Sequence, residues 1–173
     1  MEILELVVPT PAYKEQVLAY KAEMLENHSS FDGCNGLRTA ETYEEWLDFR
    51  GRDEKKGWVP SHTWLAVRRS DRRVVGIVHY RSPLTDFLLQ YAGHIGYCIR
   101  PDERWKGYAK EQLRLTLEEC RKAGETKVLL TCDPVNTGSE KTILADGGVL
   151  ENEVEDIPGL GESGVVRRSW ITL

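Results

Sequence analysis

Apolar and acidic residues alternate from Glu2 to Val8, with Ile3, Leu4, Leu6, Val7 and Val8 as the apolar set, and Pro9-Thr10-Pro11 then stops the ladder, so a first strand is expected there. Val17, Tyr20 and Met24, with Leu18 and Leu25, recur at intervals of three and four as far as Asn27, which predicts an amphipathic helix opened by Pro11. His28 to Ala40 reads as loop. Thr42 and Glu45 have capping-box spacing, and Tyr43, Trp46, Leu47 and Phe49 supply apolar bulk, so a second helix is expected from Thr42 to Arg50. Two β-branched and aromatic runs, Thr63 to Arg69 and Val74 to Arg81, flank Ser70-Asp71-Arg72 and predict an antiparallel hairpin. Pro83 to Gly93 shows no clear period. His94 to Arg100, ended by Pro101, is another strand, and after it Ala109, Leu113, Leu117 and Cys120 fall on one face of the clearest helix, closed by Gly124. Lys127 to Cys132 is a buried type of strand, Ser139 to Ala145 a short helix, and Val149 to Val154 and Val166 to Leu173 are two closing strands.

The order β, α, α, β, β, β, α, β, α, β, β contains no repeat and no dividing linker, so the 173 residues read as a single domain, 1–173. The fold class is α/β in the mixed α+β sense, a central, mostly antiparallel sheet with flanking helices. One crossover, Ile95 to Cys132, is expected to make its two strands a parallel βαβ pair. Lys+Arg 23 against Asp+Glu 28 gives 23 − 28 = −5, which leaves no net positive field for nucleic acid. Cys34, Cys98, Cys120 and Cys132 form no CxxC pair and no histidine sits at zinc-finger spacing, so no metal is expected. Acidic residues near the start and the absence of an apolar run of membrane length read as a soluble, cytoplasmic protein with no membrane partner.

Two glycine motifs stand out. Gly159-Leu160-Gly161-Glu162-Ser163-Gly164 matches GxGxxG letter for letter, but Pro158 precedes it, a β-rich run follows, and no helix opens at the last glycine. A turn between the closing strands is the better reading. Arg104-Trp105-Lys106-Gly107-Tyr108-Ala109 lies instead between a strand and the best helix. There the first helical turn leaves N–H groups unpaired at the positive end of the dipole, and Gly107 and Ala109 permit close approach of a phosphate to the main chain. Arg104 and Lys106 add charge outside that cradle. An exposed basic loop with a helpful glycine is the plainer alternative on spacing alone.

The neighbourhood of that loop resembles the GNAT superfamily of acetyl-CoA-dependent N-acetyltransferases. RWKGYA at Arg104 to Ala109 fits the family's (Q/R)xxGx(G/A), and GHIGYCIRP, Gly93 to Pro101, resembles the strand that precedes it. Farther on, Asn136, Ser139 and Gly147 hold the places of the family's Asn-x-x-Ser/Ala helix start and of the glycine opening the next strand. The match covers residues 93–153. It implies acetyl-CoA as cosubstrate, with its pyrophosphate on the amides of Arg104, Trp105, Lys106, Gly107, Tyr108, Ala109 and Lys110. Its pantetheine arm would pair with the backbone of Cys98, Ile99 and Arg100, with Asn136 and Ser139 on the other side. The Ile99 amide would take an oxyanion role, and the substrate amine would attack directly.

Two protons must then move. A lysine-like amine of pKa about 10.4 lies roughly 3.4 units from its free base at pH 7, about 4.6 kcal/mol, whereas a thiolate of pKa near 8.5 is about 1.5 units away, about 2 kcal/mol. A near-neutral base is therefore the first thing to seek. His94 heads its strand where relatives place a glutamate and is the leading candidate, with a structural histidine as the alternative and His79 as a weaker candidate. The family's usual acid, a tyrosine seven residues after the Asn, is replaced by Ile143, which leaves solvent, Tyr108, Tyr97 or Tyr91. Cys98 and Cys132 are candidate nucleophiles, though thiols on apolar strands are usually packing. The expected function is N-acetylation of a primary amine of a small molecule or peptide; the alternative, motivated by Ile143, is a catalytically weak or inactive acyl-CoA-binding module. The acceptor is expected at the loops His28 to Ala40 and Ser82 to Gly93, where Asp32, Glu41 and Asp86 could meet an amine. Leu115, off the main helix face, is the support for a homodimer.

Overall fold

The computed structural model describes residues 3–52 and 59–173. Glu2, expected to open the first strand, and the Phe49 side chain, expected to add bulk to the second helix, lie outside the described residues. Strands β1 (Leu4–Val7), β2 (Ser61–Arg68), β3 (Val74–Arg81) and β4 (Ile95–Ile99) pair antiparallel in that order. A second antiparallel sheet sets β7 (Val165–Thr172) between β5 (Lys127–Cys132) and β6 (Val149–Glu155). The helices are α1 (Lys14–Glu26), entered by a 3₁₀ turn at Pro11–Tyr13, α2 (Tyr43–Arg52), α3 (Tyr108–Lys122) and α4 (Thr137–Ala145). The order of elements follows the hydrophobic pattern throughout.

The run VVGIVHYR of β3 is buried at all but its last position because helices cover both faces of the first sheet, α1 on one and α3 on the other. Beneath α1 and α2, Val17, Tyr20, Met24, Tyr43 and Trp46 pack on Leu65, Val67, Val74 and Ile77. Leu18 and Leu25, expected on that face, are exposed, since α1 rests on the sheet along the single stripe 17, 20, 24. Beneath α3, Leu113, Leu117 and Cys120 join Val78 and Ile95 of the first sheet to Val128, Leu130 and Ile171 of the second, so one helix ties the two sheets together. At α2 the Glu45 N–H donates to Thr42 Oγ1 (3.1 Å), while the Glu45 carboxylate accepts from the Glu41 N–H (2.8 Å) rather than from the cap residue itself.

The expected parallel pairing is absent. Strands β4 and β5 are edges of different sheets and meet at one isolated antiparallel bridge, Gly93 to Leu130, with the His94 N–H donating to the Leu129 carbonyl (2.8 Å). The crossover helix brings them together at one end and leaves the outer edge of β4 unpaired beyond it. The segment 28–40 departs from a solvated loop in another way. Cys34, Leu37 and Ala40 are buried, and Gly33, at φ +72°, lies so close to β4 that an added Cβ would stand 2.1 Å from the Gly96 carbonyl oxygen. Between β3 and β4 a short π-type turn covers Leu88–Ala92, where the sequence shows no period. Gly159 and Gly164 shape the turn between β6 and β7, as their context implies. Among the described residues no helix is long and apolar enough to cross a membrane.

Candidate functional site

A cleft of about 620 Å³ opens along the free edge of β4, walled by the start of α3 on one side and by α4 on the other. Cys98, Ile99, Arg104, Trp105, Gly107, Tyr108, Ala109, Lys110, Asn136 and Ser139, all proposed from sequence, line it; Arg100 and Lys106 do not. Arg100 is buried away from it, its guanidinium on the Glu23 carboxylate and the Val74 carbonyl.

The wall at α3 is made of main chain. Gly107 takes φ +84° and Trp105 φ +63°, and Gly107 stands at the N-cap with no side chain capping the helix. The amides of Trp105, Lys106, Gly107, Tyr108, Ala109 and Lys110 consequently donate to no protein acceptor among the described residues. Six orphan donors in a row at the positive end of a helix form a cradle for an anion. The side chains around it are tied down elsewhere. Arg104 reaches the Ile99 carbonyl (2.9 Å) and Ser29 Oγ (3.0 Å), and Lys106 pairs with Glu103 (2.9 Å). Glu103 is buried and also takes Arg68 and Arg73; burial pushes its carboxyl up, and Lys106 and Arg68 more than offset that and hold it below the usual range. Lys110 and Lys141 remain on the cleft without an ion pair among the described residues. Lys141 carried no signal in the sequence, being one exposed cation on a short polar helix.

Along β4 the Arg100 N–H donates to the Val75 carbonyl and the Arg81 N–H to the His94 carbonyl (both 2.9 Å), so even-numbered residues face β3 and the main-chain groups of Tyr97 and Ile99 turn to the open edge. The Ile99 N–H is thus available to a ligand, whereas the amides of Cys98 and Arg100 belong to the ladder. Across the cleft Asn136 Oδ1 caps α4 by accepting from the Ser139 N–H (3.1 Å), and Asn136 Nδ2 has no protein partner among the described residues. Tyr97 Oη lies 3.1 Å from Ser139 Oγ, and burial pushes its pKa up to about 12. Asp32, accepting from Ser30 Oγ (2.8 Å), lines the cleft with Ser30.

Of the side chains suggested for proton transfer, Tyr97 and Tyr108 line the cleft and the two histidines do not. His94 is 6% exposed and off the cleft; its Nδ1 accepts from the Leu129 N–H (2.8 Å), standing in for a ladder bond between β4 and β5, and burial pulls its pKa down. This is the placement of the structural alternative. His79 is likewise buried against Thr63 Oγ1 (2.9 Å), and burial, then Arg81, pull it down to about 3. The Tyr108 ring packs with Leu4, Ala66 and Ile99, and its hydroxyl meets Arg68 (3.2 Å) at the wall of the cleft. Ile143 is core, and Leu115 is partly buried against the cluster of Leu4, Ala66, Val75, Ile99 and Tyr108. Cys98 Sγ lies 3.0 Å from Tyr20 Oη and 3.1 Å from Cys34 Sγ, and burial raises the Cys132 thiol to about 11; neither is an activated nucleophile.

An anion cradle at a helix start beside an unpaired strand edge defines a cofactor cleft, and the family model for the acetyltransferase (GNAT) domain matches residues 4–147. The chain belongs to the GNAT acetyltransferases, and its cosubstrate is acetyl-CoA. No curated protein matches it by sequence. Solved structures share the fold at low identity. The microcin C7 self-immunity acetyltransferase MccE, in complex with acetyl-CoA and AMP, superposes with a TM-score of 0.72 at 16% identity over 100% of this chain and 94% of that one. RimJ of Mycobacterium smegmatis, in complex with CoA-disulfide, gives 0.71 at 18% over 98% and 81%. The ribosomal-protein-S5-alanine acetyltransferase of Vibrio fischeri gives 0.68 at 19% over 98% and 91%.

Proposed function

We propose that the protein moves the acetyl group of acetyl-CoA to a primary amine of a small molecule or peptide, and that it favours α-amines. The observation that carries this reading is the run of six unpartnered amides from Trp105 to Lys110, in which every residue but Lys106 lines the cleft. They fit a pyrophosphate, and the free Ile99 N–H and Asn136 Nδ2 fit an amide-bearing arm on either side. When bound, acetyl-CoA supplies an activated thioester. The Ile99 N–H polarises its carbonyl oxygen in the oxyanion role. Asp32, an exposed carboxylate on the cleft, draws an ammonium toward the open end.

The preference for α-amines follows from what the cleft lacks. Among the described residues no histidine lines it, so the acceptor must arrive largely as the free base. At pH 7.5 an α-amine of pKa about 7.8 is roughly one-third free base, whereas a lysine of pKa about 10.4 is roughly 0.1% free base. The name of the Vibrio fischeri neighbour, a ribosomal-protein-S5-alanine acetyltransferase, points the same way, since alanine has no side-chain amine. Tyr97, at a pKa of about 12, is a poor proton donor to a thiolate but a good hydrogen-bond donor, and with Ser139 it steadies the departing sulfur. The same reading takes the chain as one domain working in the cytoplasm.

Thiol release from acetyl-CoA tests it against peptides that carry either a free α-amine or only a lysine amine. The α-amine should be acetylated much faster at pH 7.5, with the gap narrowing toward pH 9.5. Tyr97→Phe should lower kcat about tenfold, the loss of one hydrogen bond of about 1.4 kcal/mol, with acetyl-CoA affinity unchanged. Binding without turnover across the panel would leave an acyl-CoA-binding module, which Ile143 at the usual acid position would favour; no binding at all would end the reading.

A further inference from the structure

Trp105 is the most exposed large apolar side chain among the described residues, at 84%. A bulky residue in the left-handed region costs of order 1 kcal/mol or more and persists where something else requires it, usually a ligand. Here the strain holds a ring that no intramolecular burial repays. The indole reaches from the cradle loop toward the first turn of α4, where an ideal Cβ on Gly138 would stand 3.9 Å from its Cη2, and glycine at that position leaves room beside it. Trp105 thus lines the same cleft as the orphan amides and as Lys110 and Lys141, which have no ion pair among the described residues.

The geometry points to a role for this side chain beyond its amide: the indole of Trp105 is the stacking platform for the purine base of the cofactor, with Lys110 and Lys141 facing the phosphate on its ribose. This rests on the acetyl-CoA reading above. A base follows its pyrophosphate at a distance of one sugar, and an indole carried on a residue whose own amide holds that pyrophosphate reaches the same place. The ring offers a flat apolar face already desolvated on neither side, so stacking removes from water a surface that the fold leaves wet. Recognition by stacking tolerates any base but requires a base to be present.

The test compares coenzyme A with 4′-phosphopantetheine, which keeps the arm and one phosphate and lacks the adenosine. Trp105→Gly is the variant of choice, since glycine accepts the positive φ and removes the ring alone. Calorimetry should show coenzyme A binding weakened about 5- to 100-fold, the range for one stacked base, with 4′-phosphopantetheine affinity changed less than about twofold. Trp105→Phe should recover most of the loss, and coenzyme A should quench part of the tryptophan fluorescence of the wild type but none of that of Trp105→Gly. Equal losses for both ligands, or none for either, would overturn the platform. Failure of wild-type protein to bind either ligand would instead overturn the acetyl-CoA reading on which it stands.

Discussion

The loop at Arg104–Ala109 and the histidines at positions 79 and 94 are all candidates for chemistry in the sequence, and the fold treats them in opposite ways. The loop leaves its donors unspent at the cleft, with its charged side chains drawn off to Glu103, Ile99 and Ser29. The histidines face the protein itself: His94 completes the seam between the two sheets and His79 settles against Thr63. A function carried by main-chain groups depends on local conformation, which a few residues determine. A function carried by a side chain depends on what the rest of the chain packs against it.

The largest effect that would break this contrast is at Gly107. Gly107→Glu puts bulk and negative charge beside the orphan amides at a backbone angle glycine tolerates, and should cost at least about 100-fold in acetyl-CoA affinity, while Gly107→Ala, the control for backbone strain, should cost far less. Calorimetry that found the Glu variant binding normally would remove the cradle from the account. A middle-sized effect separates structure from catalysis. His94→Ala leaves the Leu129 N–H buried without an acceptor and should destabilise the fold by about 1–3 kcal/mol in urea unfolding, yet the pH dependence of kcat/KM in the folded variant should keep its shape. A lost limb near pH 6–7 would return His94 to the list of bases.

The smallest effect lies at the end of α4. Asp146, after α4, has a buried Oδ2 without a hydrogen-bond partner, and burial raises its carboxyl to about 6 despite Lys110 and Arg114. Its folded pKa exceeds the unfolded one near 3.8, so between about pH 4 and 6 the folded state holds the proton more often, and stability falls as pH rises through that window. Allowing for solvent screening the effect is about 1 kcal/mol, and Asp146→Asn should flatten the curve and leave the variant the more stable one at neutral pH. A curve unchanged by the substitution would show that the carboxyl is paired in solution.

The order of all eleven elements was legible because each announces itself by local period and punctuation, and the cradle because RWKGYA sits between a strand and a helix. The pairing of β4 with β5 was not. Whether two strands joined by a crossover helix form a ladder is decided by packing far along the chain, here by α3 spanning both sheets and by the His94 ring occupying a ladder donor. Tyr108 shows the same dependence on packing: its position after Gly107 offers a hydroxyl beside the loop, and the fold packs its ring with Leu4, Ala66 and Ile99. The segment 28–40 has a loop's composition, yet two glycines, Gly33 and Gly96, let it lie directly on β4 and bring Asp32 to the cleft. No period reports such a contact.

Glu103 has a consequence for how this cleft meets its ligand. One carboxylate gathers Arg68, Arg73 and Lys106, so the attraction left at the loop comes mostly from aligned peptide dipoles, which fade within about one helical turn. With a net charge of −5 on the chain, and Arg104, Lys110 and Lys141 the cleft cations without an ion pair among the described residues, the protein has little long-range pull on a polyanion. Capture is decided at contact, by fit, and its rate belongs to random encounter rather than to electrostatic guidance.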